Sequence, residues 1–403
     1  MIGSGWATVP LREVLRPASE PHTVDPTENY PIAGVYGFGR GMLKRAAIAG
    51  QELAAQQLYR VKSGQFIYSR LKSFEGAFAI VSHDVDGYFV SNEFPTFDAV
   101  TTRIEPGYLG WFFKQKRVWQ ALASDNKGIG ARRERLHPDR LLAHEIPLPP
   151  LVEQRRVVAR IEAIAAKLDE ARSLRSQSLH AAEVIFGQVL SHIFETASAS
   201  WTITQVNEVA GSLDAGWSPQ CEEVPATDAE WGVLKTTSVQ WAQFWPHENK
   251  RLPPSAIPRP ELAVKKGDVL VTRAGPMKRV GVPATVREDH PRLMISDKLM
   301  RIRTDRQLID PRFLEYALSS KSAQNHLVAR KTGLADAQVN ISQAILRSTP
   351  IAYPALEEQR GIVAKLDELQ ARVSAIKALQ TDTAAEMEAM MPAVLDKAFK
   401  GEL

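Results

Sequence analysis

Apolar positions follow two different rhythms along the chain. From Leu151 onward, Val157, Ile161, Ile164, Leu168 and Ala171 step by four and three. Near the other end Ile362, Leu366, Leu369, Val373, Ile376, Thr383, Met387, Met390 and Val394 do so for most of five heptads. Stripes this narrow predict coiled-coil seams rather than ordinary globular helix faces. Both helices begin after prolines (Pro149-Pro150 and Pro354) and meet a breaker at Gly187 in one and Pro392 in the other. Elsewhere the elements are short. QFIYS (65–69) and DVLVT (268–272) alternate like half-buried strands, each after a Lys-x-Gly turn. Glu105-Pro106 and Asp310-Pro311 place an acid and then proline at a helix start, and apolar helical patterns follow.

These elements occur twice. PLPPLVEQRRVVARI from Pro147 returns as PIAYPALEEQRGIVAKL from Pro350, and superposing Glu153-Gln154-Arg155 on Glu358-Gln359-Arg360 sets an offset of 205. That offset holds without a gap from Ser91/Ser296 to Phe194/Phe399. Upstream the register drifts, so the second copy carries about ten extra residues in its first third, where loops are expected. The fold class expected is α+β: two globular units in tandem repeat, separated by two long helices that pair as an antiparallel coiled coil. The expected boundaries are 1–148 and 195–350 for the globular units, and 149–194 and 351–403 for the helices. Such a pair would place the globular units at opposite ends of a rod.

Size and composition narrow the class. The chain has 403 residues, with 44% apolar and 24% charged residues, enough for two or three packed domains. The single Cys221 excludes a disulfide framework and a cysteine-built zinc site. No signal pattern and no apolar run of membrane-spanning length is present, so a cytoplasmic protein with no membrane partner is expected. The terminal KGEL lacks the second residue of an ER retention tag.

Catalytic signatures are missing. No Walker loop, H-E-x-x-H, G-x-S-x-G or zinc spacing occurs. The cluster Gly34-Val-Tyr-Gly37-Phe-Gly39-Arg40-Gly41 lacks the strand, helix and acid of a nucleotide loop and reads as a loop facing a ligand. The nine histidines never pair at metal-ligand spacing, so no catalytic residue, metal or resident cofactor is expected.

Net charge is only +4, but its placement is uneven: 18 Lys+Arg against 15 Asp+Glu in 1–145, and 20 against 16 in 201–350. The segment 146–200 balances at six each, and 351–403 has 6 against 9. The small excess on the globular units is compatible with an ordinary solvated surface, yet it gathers locally. Arg40, Lys44 and Arg45, Arg70 and Lys72, and Lys127, Arg132, Arg133 and Arg135 form clusters in the first copy. Arg273, Lys278 and Arg279, then Lys298, Arg301 and Arg303 do so in the second. Near them lie Tyr68, Asn92, Gln338 and Asn340, the mixture of phosphate clamps and base-edge groups that a DNA groove reader uses. The glycine-containing loops 124–135 and 329–340 precede the long helices and offer backbone amides and basic groups to phosphate. The candidate DNA contacts are therefore Arg40, Lys44, Arg70, Lys72, Lys127, Arg132, Arg133, Lys235, Arg273, Lys278, Arg279, Lys298, Lys331, Gln338 and Asn340. Glu153 and Glu358 sit in a first helical turn, where a carboxylate offsets the helix dipole. Gln154, Arg155, Gln359 and Arg360 read either as capping and surface groups or, with those glutamates, as a docking surface for a protein partner.

The repeated EQR-plus-helix segments, the ending VLDKAFKGEL, and YRVKSGQFIYSR with GYFVSNEFPTF together resemble the specificity subunit of type I restriction–modification systems. The likeness covers essentially the whole chain. SNEFPTF resembles one common type of target-recognition domain, and its counterpart SDKLMRI departs from it, which implies a second, different DNA half-site. The resemblance implies a non-catalytic reader of a split, asymmetric site in double-stranded DNA. Two methyltransferase (modification) subunits bringing S-adenosylmethionine would dock on it, and restriction/translocase subunits using ATP and magnesium could join. Three alternatives stand beside it: a recognition subunit of another methylation-based phage-defence complex, a coiled-coil scaffold with protein-binding ends, and a nuclease with a degenerate acidic site.

Overall fold

A computed structural model describes residues 5–124, 135–196, 200–335 and 337–403. The chain divides into two compact units, Met1–Leu174 with Thr381–Leu403, and Arg175–Gln380. Each unit holds one globular α+β domain and a stretch of both long helices, the central helix Leu151–Thr196 and the C-terminal helix Leu356–Phe399. The two helices pair antiparallel within each unit. In the first, the Arg156 guanidinium donates to the Leu403 carbonyl at 3.0 Å, and Val157 and Ile161 share a core with Leu395, Ala398 and Phe399. In the second, Arg175 and Gln380 exchange side-chain-to-carbonyl hydrogen bonds at 2.5 and 2.7 Å, Lys377 pairs with Glu183 at 2.7 Å, and Leu190 and Phe194 share a core with Leu366.

The seam follows the apolar stripe with one correction. Met390 is 49% exposed, and its neighbour Met391 packs on the first core instead. A step of four rather than three at that point keeps the seam facing its partner. Gly187 and Pro392 do not end the helices, which run through both. The neighbours Phe186, Val189 and Leu190, and Met391, Val394 and Leu395, are anchored in cores. Their burial outweighs the roughly 1 and 3 kcal/mol helix penalties of glycine and proline.

Each domain repeats one topology. A strand at the domain's start pairs antiparallel with the strand just before the long helix: Thr8–Pro10 with Glu145–Pro147, and Thr202–Gln205 with Pro350–Tyr353. A four-stranded sheet follows the order Leu15–Ala18, Thr96–Ala99, Phe66–Tyr68, Phe78–Ile80 in the first domain. In the second it is Ala210–Ala215, Leu299–Thr304, Val269–Thr272, Pro283–Thr285. The strands Phe66–Tyr68 and Val269–Thr272 are not half-buried as their alternation suggests but buried throughout. Phe66 and Tyr68 face one core while Ile67 faces another; Val269 and Val271 are likewise split from Leu270. Both faces of the sheet are covered, so alternation here sorts residues between two cores rather than between core and water. The Lys-x-Gly turns before them are real, with Gly64 and Gly267 in left-handed backbone (φ 86° and 91°) that favours glycine.

A second sheet lies in each domain, and one connection in it differs. In the first domain Asn29–Val35 turns into Met42–Ala49 through six residues, 36–41. In the second, Gly232–Leu234 reaches its antiparallel neighbour Asn249–Arg251 through fourteen, 235–248, which fold into a small hairpin pairing Val239 with Phe244. Most of the second copy's extra length lies here.

The helices that carry each domain toward the long helices also differ. Pro106–Phe112 approaches closely through glycine: a Cβ on Gly107 would stand 3.3 Å from the Val158 side chain. At the same repeat positions Pro311–Ser319 carries Arg312 and Glu315. Arg312 donates to Glu315 and Asp367 and, at 2.8 Å, to the Tyr316 hydroxyl, which itself donates to Asp367 at 2.6 Å. Glu315 is fully buried and also accepts the Thr285 amide at 2.7 Å. Among the described residues no helix is long and apolar enough to cross a membrane.

Candidate nucleic-acid interface

Strand ends place the two central candidates identically. Arg70 follows Phe66–Tyr68, donates its backbone N–H to the Glu93 carbonyl at 2.9 Å and accepts the Leu136 amide at 2.9 Å. Arg273 follows Val269–Thr272, donates to the Lys298 carbonyl at 2.8 Å and accepts the Ile341 amide at 3.0 Å. Each arginine is thus held between the same two neighbouring segments, with its side chain partly exposed. At the next position of this frame the charge reverses: Glu93 in the first domain, Lys298 in the second. Glu93 holds Arg135 at 2.9 Å, while its Oε2 and the Arg70 Nε are buried without partners. Two domains built on one scaffold therefore present opposite charge at the same place.

Around Arg70, exposed Lys72 begins the turn Ser73–Glu75. Arg40 is exposed in the 36–41 connection, donating from Nε to the Gly37 carbonyl at 3.1 Å. Lys44, on the neighbouring strand, pairs with Asp84 at 2.6 Å, which raises its pKa. Lys127, Arg132 and Arg133 lie outside the described residues.

Around Arg273, the strand Gln338–Asn340 pairs with both Ala274–Gly275 and Thr332–Ala335. This brings exposed Gln338 and Asn340 beside Arg273, with the Asn340 Oδ1 accepting the Thr332 hydroxyl at 3.0 Å. Lys278 is exposed. Lys235 and Lys298 line a 540 Å³ cavity with Lys250, Glu223 and Ser296, whose buried hydroxyl has no partner. Lys235 lies 3.7 Å from Glu248.

Several sequence candidates serve the scaffold instead. Arg279 donates to the carbonyls of Thr236 and Val239, both at 2.9 Å, so its guanidinium pins the 235–248 connection rather than facing a ligand. The Lys331 ammonium donates to the Met277 carbonyl at 2.7 Å, and burial lowers its pKa; it ties the hairpin base inward. Arg301, only 2% exposed, pairs with Asp214 at 2.5 Å and Asp268 at 3.6 Å, and Arg303 meets Asp268 at 2.9 Å. Arg301 and Arg303, two apart on one strand face, both reach Asp268, so the run 298–303 divides into one surface lysine and two arginines paired with acids of their own domain.

The EQR motifs divide in the same way. Gln154 and Gln359 are fully buried, which corrects their reading as partner contacts. The Gln154 amide accepts the Glu105 N–H at 2.8 Å and donates to the Arg103 and Pro149 carbonyls at 2.9 and 2.8 Å. Gln359 does the same with Asp310, Leu308 and Pro354 at 2.8, 2.9 and 2.8 Å. Glu153 instead receives two hydrogen bonds from Arg156, which hold its pKa down, and Arg155 stands 3.5 Å from Glu105. Glu358 accepts the Trp201 indole N–H at 3.1 Å. Exposed Arg360 lines a 480 Å³ cavity with Lys266, Arg287, Arg306 and Arg312, a cationic hollow the sequence did not suggest because its members are scattered from 266 to 360.

Known proteins match this arrangement. Residues 260–385 match the family model of the type I restriction modification DNA specificity domain. The chain is 41% identical to the type I restriction enzyme EcoEI specificity subunit of Escherichia coli over 169 residues, covering 42% of this chain and 28% of that one. It is 24% identical to the EcoKI specificity subunit of Escherichia coli strain K12 over 311 residues, covering 74% and 65%. The matches thus span less than two thirds of these relatives' own length. Likeness to solved structures is more extensive. A chain from work on complex assembly and conformational transition of the type I R-M system aligns over 99% of this chain and 98% of its own, with TM-score 0.74 and 25% identity. The HsdS subunit of Thermoanaerobacter tengcongensis aligns over 99% and 97%, with TM-score 0.61 and 26% identity. The duplicated domains, the antiparallel helices and these likenesses together make the chain similar to the specificity subunits of type I restriction–modification systems.

Proposed function

We propose that this chain is the non-catalytic DNA-sequence reader of a type I restriction–modification enzyme and recognises a bipartite, asymmetric site. In this reading 1–148 and 195–350 are target-recognition domains, and 149–194 and 351–403 are spacer helices. The observation that carries it is the twice-built frame around Arg70 and Arg273 with Glu93 exchanged for Lys298. One scaffold repeated with opposite charge at one place suits two different half-sites, since a carboxylate accepts from cytosine N4 and a lysine donates to guanine. Lys72, Lys278 and Lys235 would meet phosphates, which position without specifying. Part-exposed Glu153 and exposed Arg155, Glu358 and Arg360 remain available to protein partners. Those partners are two methyltransferase subunits carrying S-adenosylmethionine and adenine-N6 chemistry, and restriction subunits using ATP and magnesium; no cofactor is assigned to this chain.

The test is single-molecule sequencing of host DNA for N6-methyladenine with the gene intact and deleted. Loss of one split motif, two short blocks around an unspecified gap, is the expected result. An unchanged methylation pattern in a host whose partner genes are expressed would sink the reading.

A further inference from the structure

The connection that differs in length between the domains shares one property in both copies. In the first domain, 36–41 presents Tyr36, Phe38 and Arg40 to solvent, with Phe38 66% exposed. The Arg40 guanidinium lies 5.0 Å from the Tyr36 ring centre and 5.9 Å from that of Phe38. In the second, the hairpin tip within 235–248 presents Trp241, 48% exposed, and the hairpin's base presents Trp245, which stacks on His247 at 5.8 Å. The two non-glycine residues described with left-handed backbone are Phe38 (φ 61°) and Ala242 (φ 56°), one in each connection. That conformation is unfavourable for an aromatic residue and is held by surrounding contacts.

Both connections also rest on the same repeated turn. The Phe38 and Gly39 amides donate to the carbonyls of Glu75 and Gly76 at 2.6 and 3.0 Å. In the second domain Arg279, at the end of the corresponding turn, holds the carbonyls of Thr236 and Val239. This turn follows on Arg70 and begins at Lys72 in one copy, and follows on Arg273 and contains Lys278 in the other. Phe38 therefore neighbours the cationic groups proposed to meet DNA, and Trp241 follows Gln240, which accepts from Arg279 at 3.4 Å, while Gln243 beyond the tip donates to Ser374 of the C-terminal helix at 2.6 Å.

We propose that these connections are DNA-stacking elements, in which Phe38 in the first domain and Trp241 in the second press against base faces at a distorted step of each half-site. The inference rests on the DNA-reading function above and extends it from hydrogen-bond readout to deformation of the duplex. An aromatic ring offers a stacking face to any base, and apolar wedges unstack base steps at modest cost. Flanking arginine and lysine favour the polyanion over a protein surface.

The test uses the full chain assembled with its methyltransferase subunits, and duplexes bearing the methylated motif with 2-aminopurine substituted one position at a time. The unsubstituted complex is expected to raise fluorescence at one step in each half-site. Phe38→Gly removes the ring and relieves the backbone, so it should raise the melting temperature while weakening binding by about 5- to 100-fold and silencing one step. Trp241→Ala should silence the other step alone. Unchanged affinity and fluorescence in both variants would overturn the proposal, as would loss of a methyltransferase subunit from the variant complexes, which assigns the aromatics to a protein interface. No motif-dependent binding by the unsubstituted complex would overturn this proposal and the DNA-reading function together.

Discussion

Gln154 and Gln359, 205 positions apart, hold the same place in two copies of one fold: each buried amide accepts one backbone N–H and donates to two backbone carbonyls. The bonds tie the first turn of each long helix to the entry of the domain's own helix and to the proline-rich approach. Alanine at either position leaves three buried backbone groups unpaired, at a cost of about 3 kcal/mol in thermal unfolding. Glutamate should be worse at neutral pH, because a carboxylate would face two carbonyls. Burial would raise the folded pKa of that glutamate, so its stability deficit should shrink as pH falls. A deficit independent of pH would contradict the clamp.

Arg312 is the single cation among the described residues hydrogen-bonded to fully buried Glu315. Arg312→Met should therefore cost about 3–5 kcal/mol by stranding a buried charge. Arg312→Met combined with Glu315→Gln should recover most of it. Additive losses in the double variant would exclude the coupling.

Burial by itself would raise the Asp367 carboxyl, but hydrogen bonds from Arg312 and Tyr316 outweigh it and hold its pKa below the usual 3.8. A carboxylate depressed in the folded state contributes stability above its unfolded pKa and loses it as pH falls through the folded value. Asp367→Asn should thus be destabilising at pH 6, and the gap from the parent protein should close toward pH 2. Parallel unfolding curves across that range would rule this out.

Phosphate and base contacts separate by salt. Lys72→Ala and Lys278→Ala should each lower the slope of log K against log salt by about 0.9 while leaving sequence preference intact. Glu93→Gln should alter the half-site read by the first domain and leave the other half unchanged, as read by methylation motif in the host. A change in both halves would refute separate readers.

The helical pair should act as a spacer. One heptad inserted into 160–180 alone unbalances the seam and should abolish recognition of the original site; binding retained at that site would discard the spacer idea.

The duplication and the helices were legible because an offset of 205 and a heptad stripe are properties of sequence order. What escaped reading depended on partners far away in the chain. Arg301 and Lys298 look alike in a basic run, but only Arg301 meets Asp214 and Asp268, 87 and 33 positions upstream. Gln154 reads as a surface group until the carbonyl of Arg103 is beside it. Arg279 reads as a phosphate clamp until the extra residues of the 235–248 connection fold over it. The shared basic position Arg70/Arg273 was visible; the charge reversal beside it became meaningful once both backbones were seen holding the same frame.

A chain that contains one fold twice risks mounting each half on the wrong rod during folding. The mounting helices limit that error. Gly107 lies where an added Cβ would crowd Val158, leaving no room for a guanidinium, and the glycine surface has nothing to offer Asp367. Arg312, seated elsewhere, would lose its hydrogen bond to Asp367. The copies kept their common fold but acquired incompatible fastenings, so the duplication carries its own instructions for assembling each half in its proper place.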